Sequence, residues 1–405
     1  MRIALISYEF PPDTGKGGIG TYNVQLASLL IAKGFDVHVF AGTTKPSYKE
    51  VLHHVNIHRV NCKDPFDFRA NVVAEFSVEQ YIKDFEIIES PEIHGNAWGI
   101  KKAFPQIPLI VRLHAPNYLV EYLKKKYIPV LAKLRFVAGA LRRGKLDLGY
   151  WRKYNYLNDN DFQFTKIADA ITAPSETMKQ WAVKHWHILP KDITVIANPF
   201  VPIKALLEIP INERVGKNEI VFFGRLNVLK GLVNGTLAMK KILAEFPNYH
   251  FKVVGDDGAG PNTGQSMKQW MQKKLKKVIS NVSFYDGQEY DKLPAHISNA
   301  TIALLPSLFE SFSYTCAEAM AAGKAVVGSS STGMEDIIVN NYSGLLVNAE
   351  NKKDIYFALK KLIKNDSLRY SISKTAKKNI TTLFNADALA HQYINYYKSV
   401  TALHG

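Results

Sequence analysis

Two carboxylates and two cations carry the chemistry this chain can be expected to do. Glu310 and Glu318 lie eight residues apart in the run Phe-Glu-Ser-Phe-Ser-Tyr-Thr-Cys-Ala-Glu-Ala-Met-Ala-Ala-Gly, which begins at Phe309. The alanine-rich part predicts a helix that Gly323 ends as a C-terminal cap. Glu318 then sits mid-helix between Ala317 and Ala319, where an ionised carboxylate costs several kcal/mol unless something hydrogen-bonds to it. A polyhydroxylated ligand would be a suitable partner.

The cations are Arg225 and Lys230, in Gly-Arg-Leu-Asn-Val-Leu-Lys-Gly at 224–231, directly after the apolar run 220–223. Arg225 can grip a phosphate bidentately and Lys230 adds a mobile point charge, a combination suited to a diphosphate. A surface turn with solvated charges is the plainer alternative. The turn around Ser313 would present free N–H groups at the start of the alanine-rich helix. A third loop, Gly15-Lys16-Gly17-Gly18-Ile19-Gly20, also offers backbone N–H groups at a helix start, where a phosphate or a sugar hydroxyl is favoured. It matches G-x-G-x-x-G, but residues 9–14, with Pro11 and Pro12, separate it from its strand. Asp36 begins the second strand instead of ending it. Both features argue against a nicotinamide site.

Positioning these groups requires strands. Short apolar runs alternate with helical patterns, which predicts parallel sheets built from strand-helix-strand units. The first half offers runs at 3–8, 37–41, 85–88, 109–113, 170–173 and 193–196. The second half starts again at 220–223, 251–254, 282–285, 302–305 and 325–327. The proline-rich segment 199–218 reads as a linker. A chain of 405 residues exceeds what one core usually supports, so two doubly wound α/β domains are expected, with ligands beyond the carboxyl ends of the strands and a site in the cleft between them.

The chain has 51 basic and 36 acidic residues, a net charge of +15 that points to an anionic partner. Its two cysteines, Cys62 and Cys316, are far apart and suggest neither a disulfide framework nor a zinc site. A reducing cytosol fits. The first residues are too short an apolar run for a signal peptide, and no stretch approaches a membrane span. Any membrane contact is therefore expected to be peripheral.

At these motifs the chain resembles the retaining glycosyltransferases of GT-B architecture, in the large nucleotide-sugar-dependent family 4 that includes sucrose synthase and phosphatidylinositol mannosyltransferase. The resemblance runs nearly end to end. It rests on the Gly-Gly loop after a strand ending in Pro-Pro, Asn198-Pro199, the 224–231 motif, Glu310 with Glu318, and Ser-Gly-Leu-Leu-Val at 343–347. It implies two Rossmann-like domains, 1–200 on the acceptor side and 201–384 on the donor side. A closing helix in 385–405, over 385–403, would cross back to the first domain. It also implies that Arg225 and Lys230 bind the nucleotide diphosphate, Glu318 the ribose and Glu310 the donor sugar. Ser311, Phe312, Ser313, Tyr314 and Thr315 would complete those contacts, and Gly17 and Gly18 would approach the diphosphate. His114, in Arg-Leu-His-Ala-Pro, matches the histidine beside the transferred sugar. Two departures stand out: Ser313 replaces a usual glycine, and the turn 255–261 is longer than usual, which leaves the base open.

Two further segments bear on partners. Asp159-Asn160-Asp161 spells a metal-binding D-x-D string but reads better as an N-terminal cap or solvated turn. No metal and no cofactor is expected besides the nucleotide-sugar co-substrate. Residues 118–156 carry ten cations against Glu121 and Asp147, and Leu123, Tyr127, Val130, Leu131, Leu134, Ala138 and Leu141 share one helical face. That suits a helix lying on anionic lipid, a patch for a phosphorylated acceptor, or an ordinary helix with a basic rim. The reading reached is a cytoplasmic, metal-independent, retaining hexosyltransferase. It would move glucose from UDP-glucose, or mannose from GDP-mannose, to a glycan or lipid-linked acceptor, in bacterial polysaccharide or glycolipid synthesis on the inner face of the plasma membrane. A nicotinamide dehydrogenase and a non-catalytic basic membrane-binding module are the alternatives. Nucleic acid is not expected as a partner.

Overall fold

A computed structural model of the chain describes residues 1–15, 17–145, 154–211, 218–262 and 264–404. They form two compact units. The first comprises Met1–Asn117, Asn155–Val201 and Phe384–Gly405, and the second Tyr118–Tyr154 and Pro202–Leu383.

The first unit is built on an eight-stranded sheet of β1 (Arg2–Ile6), β2 (Asp36–Thr43), β3 (Tyr48–Leu52), β4 (Val55–Asn61), β5 (Ile87–Pro91), β6 (Leu109–Arg112), β7 (Ala170–Ala173) and β8 (Ile193–Val195). Their order is β3-β4-β2-β1-β5-β6-β7-β8. All pairings are parallel except that of β3 with β4 at one edge. The central strands are buried on both faces and so read as unbroken apolar runs. The hairpin β3–β4 has no counterpart among the expected strands. β3 alternates between half-buried and exposed residues, and β4 buries His58 and Arg59, which look like surface residues in the sequence.

The second unit has a six-stranded, wholly parallel sheet of β9 (Glu219–Phe223), β10 (His250–Val254), β11 (Val282–Tyr285), β12 (Ile302–Leu305), β13 (Ala325–Ser329) and β14 (Leu345–Val347). Its order is β11-β10-β9-β12-β13-β14. The chain leaves β9 toward β10 on one side, and β12 pairs with β9 on the other. The loops after β9 and β12 therefore emerge side by side at a topological switch point.

One expectation about domain limits changes. Residues 118–154 belong to the second unit, not to a 1–200 domain. Tyr127 receives a hydrogen bond from Asn234 at 3.4 Å, and Lys126 pairs with Glu350 at 2.5 Å. The helix Ala386–Ala402 is an integral part of the first unit, capped by Asn385. Tyr397 donates to Glu89 Oε2 at 2.6 Å while Tyr22 donates to Glu89 Oε1 at 2.5 Å. Beside them the buried Arg112 donates to Ile196 O and Asn198 Oδ1, each at 2.7 Å, and lies 5.0 Å from the Tyr22 ring. The linker 199–218 is entered at the unit boundary between Val201 and Pro202 and contains a short helix, Lys204–Leu207. Residues 212–217 of it lie outside the described residues.

Candidate functional site

In the second unit the loop after β9 carries both cations. Arg225 is exposed and makes no hydrogen bond or ion pair among the described residues. Two residues on, Asn227 Oδ1 accepts from the Lys230 amide at 3.1 Å and closes the turn Val228–Lys230. Gly231 has φ +67°, and a Cβ there would lie 1.6 Å from Pro306 O, so a glycine is required for this loop to lie against the one after β12. The Leu308 amide seals the contact by donating to Leu229 O at 2.8 Å.

That contact fixes the catalytic candidates. Glu310 Oε1 accepts from the Lys230 ammonium and from Ser307 Oγ, the latter at 2.8 Å. Gly333, after β13, donates its amide to Glu310 O at 2.6 Å, and a Cβ on it would meet Ser311 O at 2.2 Å. Ser313 then caps the helix Tyr314–Ala321, its Oγ accepting from the Cys316 amide at 3.2 Å. A cap of this kind is worth about 1 kcal/mol, so the serine in place of glycine contributes to the helix start. Phe312 and Tyr314 are buried beside it, Thr315 Oγ1 lies 3.2 Å from Ser313 Oγ, and Gly323 ends the helix with φ +64°.

Glu318 is buried, and its carboxylate has no hydrogen-bond partner among the described residues. Burial raises its pKa to about 7, against the pull of the nearby Lys230 charge. The structure thus brings Lys230, Glu310, Glu318 and residues 311–315 together at the carboxyl ends of β9 and β12.

In the first unit the glycine loop follows β1. Gly15 has φ +67°, and Gly17 stands at the N-cap of the helix Gly18–Ile31 without a side-chain cap. Lys16 lies outside the described residues. The hairpin β3–β4 clamps this loop. Arg59 donates to Phe10 O at 2.7 Å and Pro11 O at 2.8 Å, and Asp13 accepts from Thr43, Lys45 and Tyr48 at 2.6, 2.8 and 2.9 Å. Although burial works against it, hydrogen bonds from Lys45, Thr43 and Tyr48 hold the Asp13 carboxyl down at about 2.

His114 follows β6. Burial, aided by the Arg112 charge, lowers its pKa to about 3, so the imidazole is neutral. Its Nε2 is buried with no hydrogen bond among the described residues, and its ring meets the edge of Tyr22, on the glycine-loop helix, at 5.1 Å. The His114 amide donates to both oxygens of Glu92 at 2.9 Å. Burial, with the charge of Asp161, raises the Glu92 pKa to about 8. Asp159 is an N-cap as expected, accepting from the Asp161 amide at 2.9 Å. Asp161 is not solvated: it is buried and accepts from the amides of His94 at 3.0 Å and Asn117 at 2.8 Å. Glu92 and Asp161 were not among the site residues expected, although an acidic residue just past a strand end was a readable signal for Glu92.

Comparison with known proteins gives this geometry a family. The glycosyl transferases group 1 family matches residues 207–379, and glycosyltransferase family 4 matches residues 16–202. An uncharacterized glycosyltransferase of Methanocaldococcus jannaschii is 24% identical over 419 residues, covering 100% of both chains. Sucrose-phosphate synthase from Thermosynechococcus elongatus superposes with a TM-score of 0.74 at 19% identity, over 99% of each chain. Anabaena HepE, solved in complex with UDP-glucose, gives 0.66 at 15% identity, over 98% of this chain and 100% of that one.

The chain is a family 4 glycosyltransferase with the GT-B fold. In this glycosyltransferase the 118–145 segment is not one helix. Asn117–Lys126 and Val130–Arg142 are separate, divided before Pro129. Leu123 is buried and Tyr127 is half-buried, so the expected apolar face is shorter than seven residues. Val130, Leu131, Leu134, Ala138 and Leu141 remain exposed. Lys125, Lys133, Arg135, Arg142, Arg143 and Lys145 of the glycosyltransferase have no ion-pair partner among the described residues. Residues 146–153, with Asp147, Arg152 and Lys153, lie outside them.

Proposed function

We propose that this glycosyltransferase is a retaining, metal-independent hexosyltransferase that takes glucose from UDP-glucose and places it on an acceptor hydroxyl of a glycan or lipid-linked sugar. The observation that carries this is the Lys230 ammonium held on Glu310, close to a buried Glu318 without a hydrogen-bond partner among the described residues, with an exposed Arg225 on the same loop as Lys230. In this reading Arg225 and Lys230 take the diphosphate, Glu318 accepts from the ribose hydroxyls and Glu310 orients the sugar. Residues 311–315 line the sugar and phosphate. In the first unit, the neutral His114 imidazole is available to hydrogen-bond a sugar, and the Gly17 and Gly18 amides to hydrogen-bond a phosphate. The likeness to a HepE structure holding UDP-glucose supports the choice of donor.

The anomeric C–O bond to the β-phosphate breaks, its electron pair staying with the phosphate oxygen, which Arg225 and Lys230 stabilise. The acceptor oxygen bonds to the anomeric carbon on the same face, and its proton passes to the departing phosphate oxygen. Glu310 is committed to Lys230 and Ser307, which supports a positioning role over a nucleophilic one. Cations and helix-end amides supply the charge stabilisation a metal would otherwise give, so added Mg²⁺ is expected to leave turnover unchanged. The dehydrogenase alternative lacks an acidic residue at the end of β2, which closes on Ala41-Gly42-Thr43.

A cytoplasmic setting on the inner face of a bacterial plasma membrane, in polysaccharide or glycolipid synthesis, goes with the exposed apolar and basic helix Val130–Arg142, which we assign to anionic lipid. The reading is tested by a thermal-shift screen of UDP-, GDP- and ADP-sugars followed by anomeric analysis of the product. UDP-glucose at 100 times its dissociation constant should add about 2.7 kcal/mol of stability. No shift with any nucleotide sugar, or an inverted product, overturns it.

A further inference from the structure

A second cluster of chemistry-bearing side chains lies away from the donor loops, inside the first unit. His38 on β2 and His58 on β4 are both buried, and His38 Nδ1 faces His58 Nε2 at 2.9 Å. The outer nitrogens each look toward a carboxylate: His38 Nε2 lies 3.2 Å from Asp36 Oδ1, and His58 Nδ1 lies 3.5 Å from Glu75 Oε1. Neither contact is aligned as a hydrogen bond. A carboxylate oxygen of Glu79, from the helix Pro65–Lys83, lies within 4.8 Å of one nitrogen of each ring. The rings are walled by Phe40, stacked on His58 at 4.4 Å, and by Phe85, edge-on to His38 at 5.2 Å.

A proton count makes this arrangement informative. Two neutral imidazoles carry two N–H groups. One must lie between the rings, because two facing lone pairs at 2.9 Å would repel. Only one N–H is then left for two carboxylates, so either Asp36 or Glu75 confronts a bare lone pair. A metal ion between the inner nitrogens removes the conflict. Both inner lone pairs bind it, and both outer N–H groups donate to carboxylates, as metal-bound histidines usually do.

We propose that His38, His58 and Glu79 form a binding site for a divalent transition metal of the zinc class, with Asp36 and Glu75 orienting the two imidazoles. Two imidazoles and a carboxylate are a borderline donor set that suits Zn²⁺. With Zn–N bonds of about 2.0–2.1 Å, a tetrahedral site needs the facing nitrogens about 3.3 Å apart, a small opening of the present gap. Glu79 exchanges the Lys49 ammonium for the metal, and Lys49 keeps Glu75 at 3.6 Å. The metal ties β2, β4 and the helix Pro65–Lys83 together behind the hairpin whose Arg59 and Tyr48 hold the glycine loop. It takes no part in the transfer reaction.

The test uses the full chain, stripped with a chelator and dialysed. His53 and His54, exposed neighbours in the hairpin turn, are replaced (His53→Asn, His54→Asn) so that they cannot bind the probe. Titration with Co²⁺ at neutral pH is expected to give the visible bands of a tetrahedral centre at one equivalent, and Zn²⁺ to raise the thermal midpoint. Asp36→Asn should weaken Co²⁺ binding by about 10- to 100-fold. Glu79→Gln and His58→Gln should abolish the bands. Glu79→Gln serves as the folding control, since its metal-free circular dichroism should match that of the parent. No stoichiometric band, or a band that persists in both Glu79→Gln and His58→Gln, overturns the proposal and leaves a hydrogen-bonded histidine pair.

Discussion

Lys230 and Glu310, eighty residues apart in sequence, meet as an ion pair in which the Ser307 hydroxyl shares the same carboxylate oxygen. On the proposed reading, a diphosphate therefore has to compete with Glu310 for the lysine's protons. Lys230→Ala is expected to lower kcat/KM by about 100- to 1,000-fold with the fold intact. Glu310→Gln should lower kcat while UDP affinity stays level or rises, because the ammonium is released to the diphosphate. A parallel fall in UDP affinity, read by calorimetry, would show that Glu310 does not restrain Lys230.

The Glu318 carboxyl titrates at about 7 in the folded chain against an ordinary value of 4.5. Folding therefore favours the protonated form. The stability this contributes is complete below about pH 4.5 and is lost as pH rises through about 7. Glu318→Gln should flatten that part of the curve of thermal midpoint against pH. Ribose hydroxyls prefer the ionised carboxylate, so donor affinity should rise between about pH 6 and pH 8, by up to about tenfold, and the Gln variant should lose this dependence. An unchanged pH profile in the variant would remove Glu318 from the donor site.

Gly231→Ala must strain a backbone at φ +67° and drive a Cβ into Pro306 O. Strain of the first kind costs on the order of 1–3 kcal/mol. Gly264→Ala, at φ +75° with open space around its Cβ, isolates that part. The Gly231 variant should melt lower than the Gly264 variant and lose activity as well, since the contact it breaks places Lys230 beside Glu310. Equal effects in differential scanning calorimetry would mean the loop contact yields cheaply.

Leu131 and Leu134 are exposed by 70% and 52%, so Leu131→Asp and Leu134→Asp should leave the thermal midpoint nearly unchanged. In flotation assays the double variant should no longer rise with anionic vesicles, whereas the parent should bind at low salt and detach as salt screens its cations. Binding that survives both substitutions would move the lipid contact elsewhere on the surface.

Most of the parallel-sheet scaffold was legible because its strands are short apolar runs punctuated by glycine and proline, and the charged loops after β9 and β12 were legible because charge is rare beside such strands. Four things were not. The β3–β4 hairpin hid behind His58 and Arg59, whose burial depends on His38 for the first and on Phe10 and Pro11 for the second, partners that no local window contains. Asp161 was hidden likewise, since its partners are the backbone amides of His94 and Asn117, far from it in sequence. The unit assignment of 118–154 turned on contacts of Tyr127 and Lys126 with residues more than one hundred positions away. Helical periodicity joined Leu123 to Leu141 across a break that the Tyr-Ile-Pro step at 127–129 introduces.

The Glu89 carboxylate receives one hydroxyl from Tyr22 and the other from Tyr397, which lies 308 residues further along the chain. At ribosomal rates of about 5–20 residues per second, roughly 15–60 s separate the emergence of the acid from that of its second partner. During that interval the whole second unit is translated while the interior of the first still lacks a tyrosine. A nascent chain arrested before Tyr397 should therefore carry a looser, protease-sensitive amino-terminal lobe that tightens only when translation reaches the last helix.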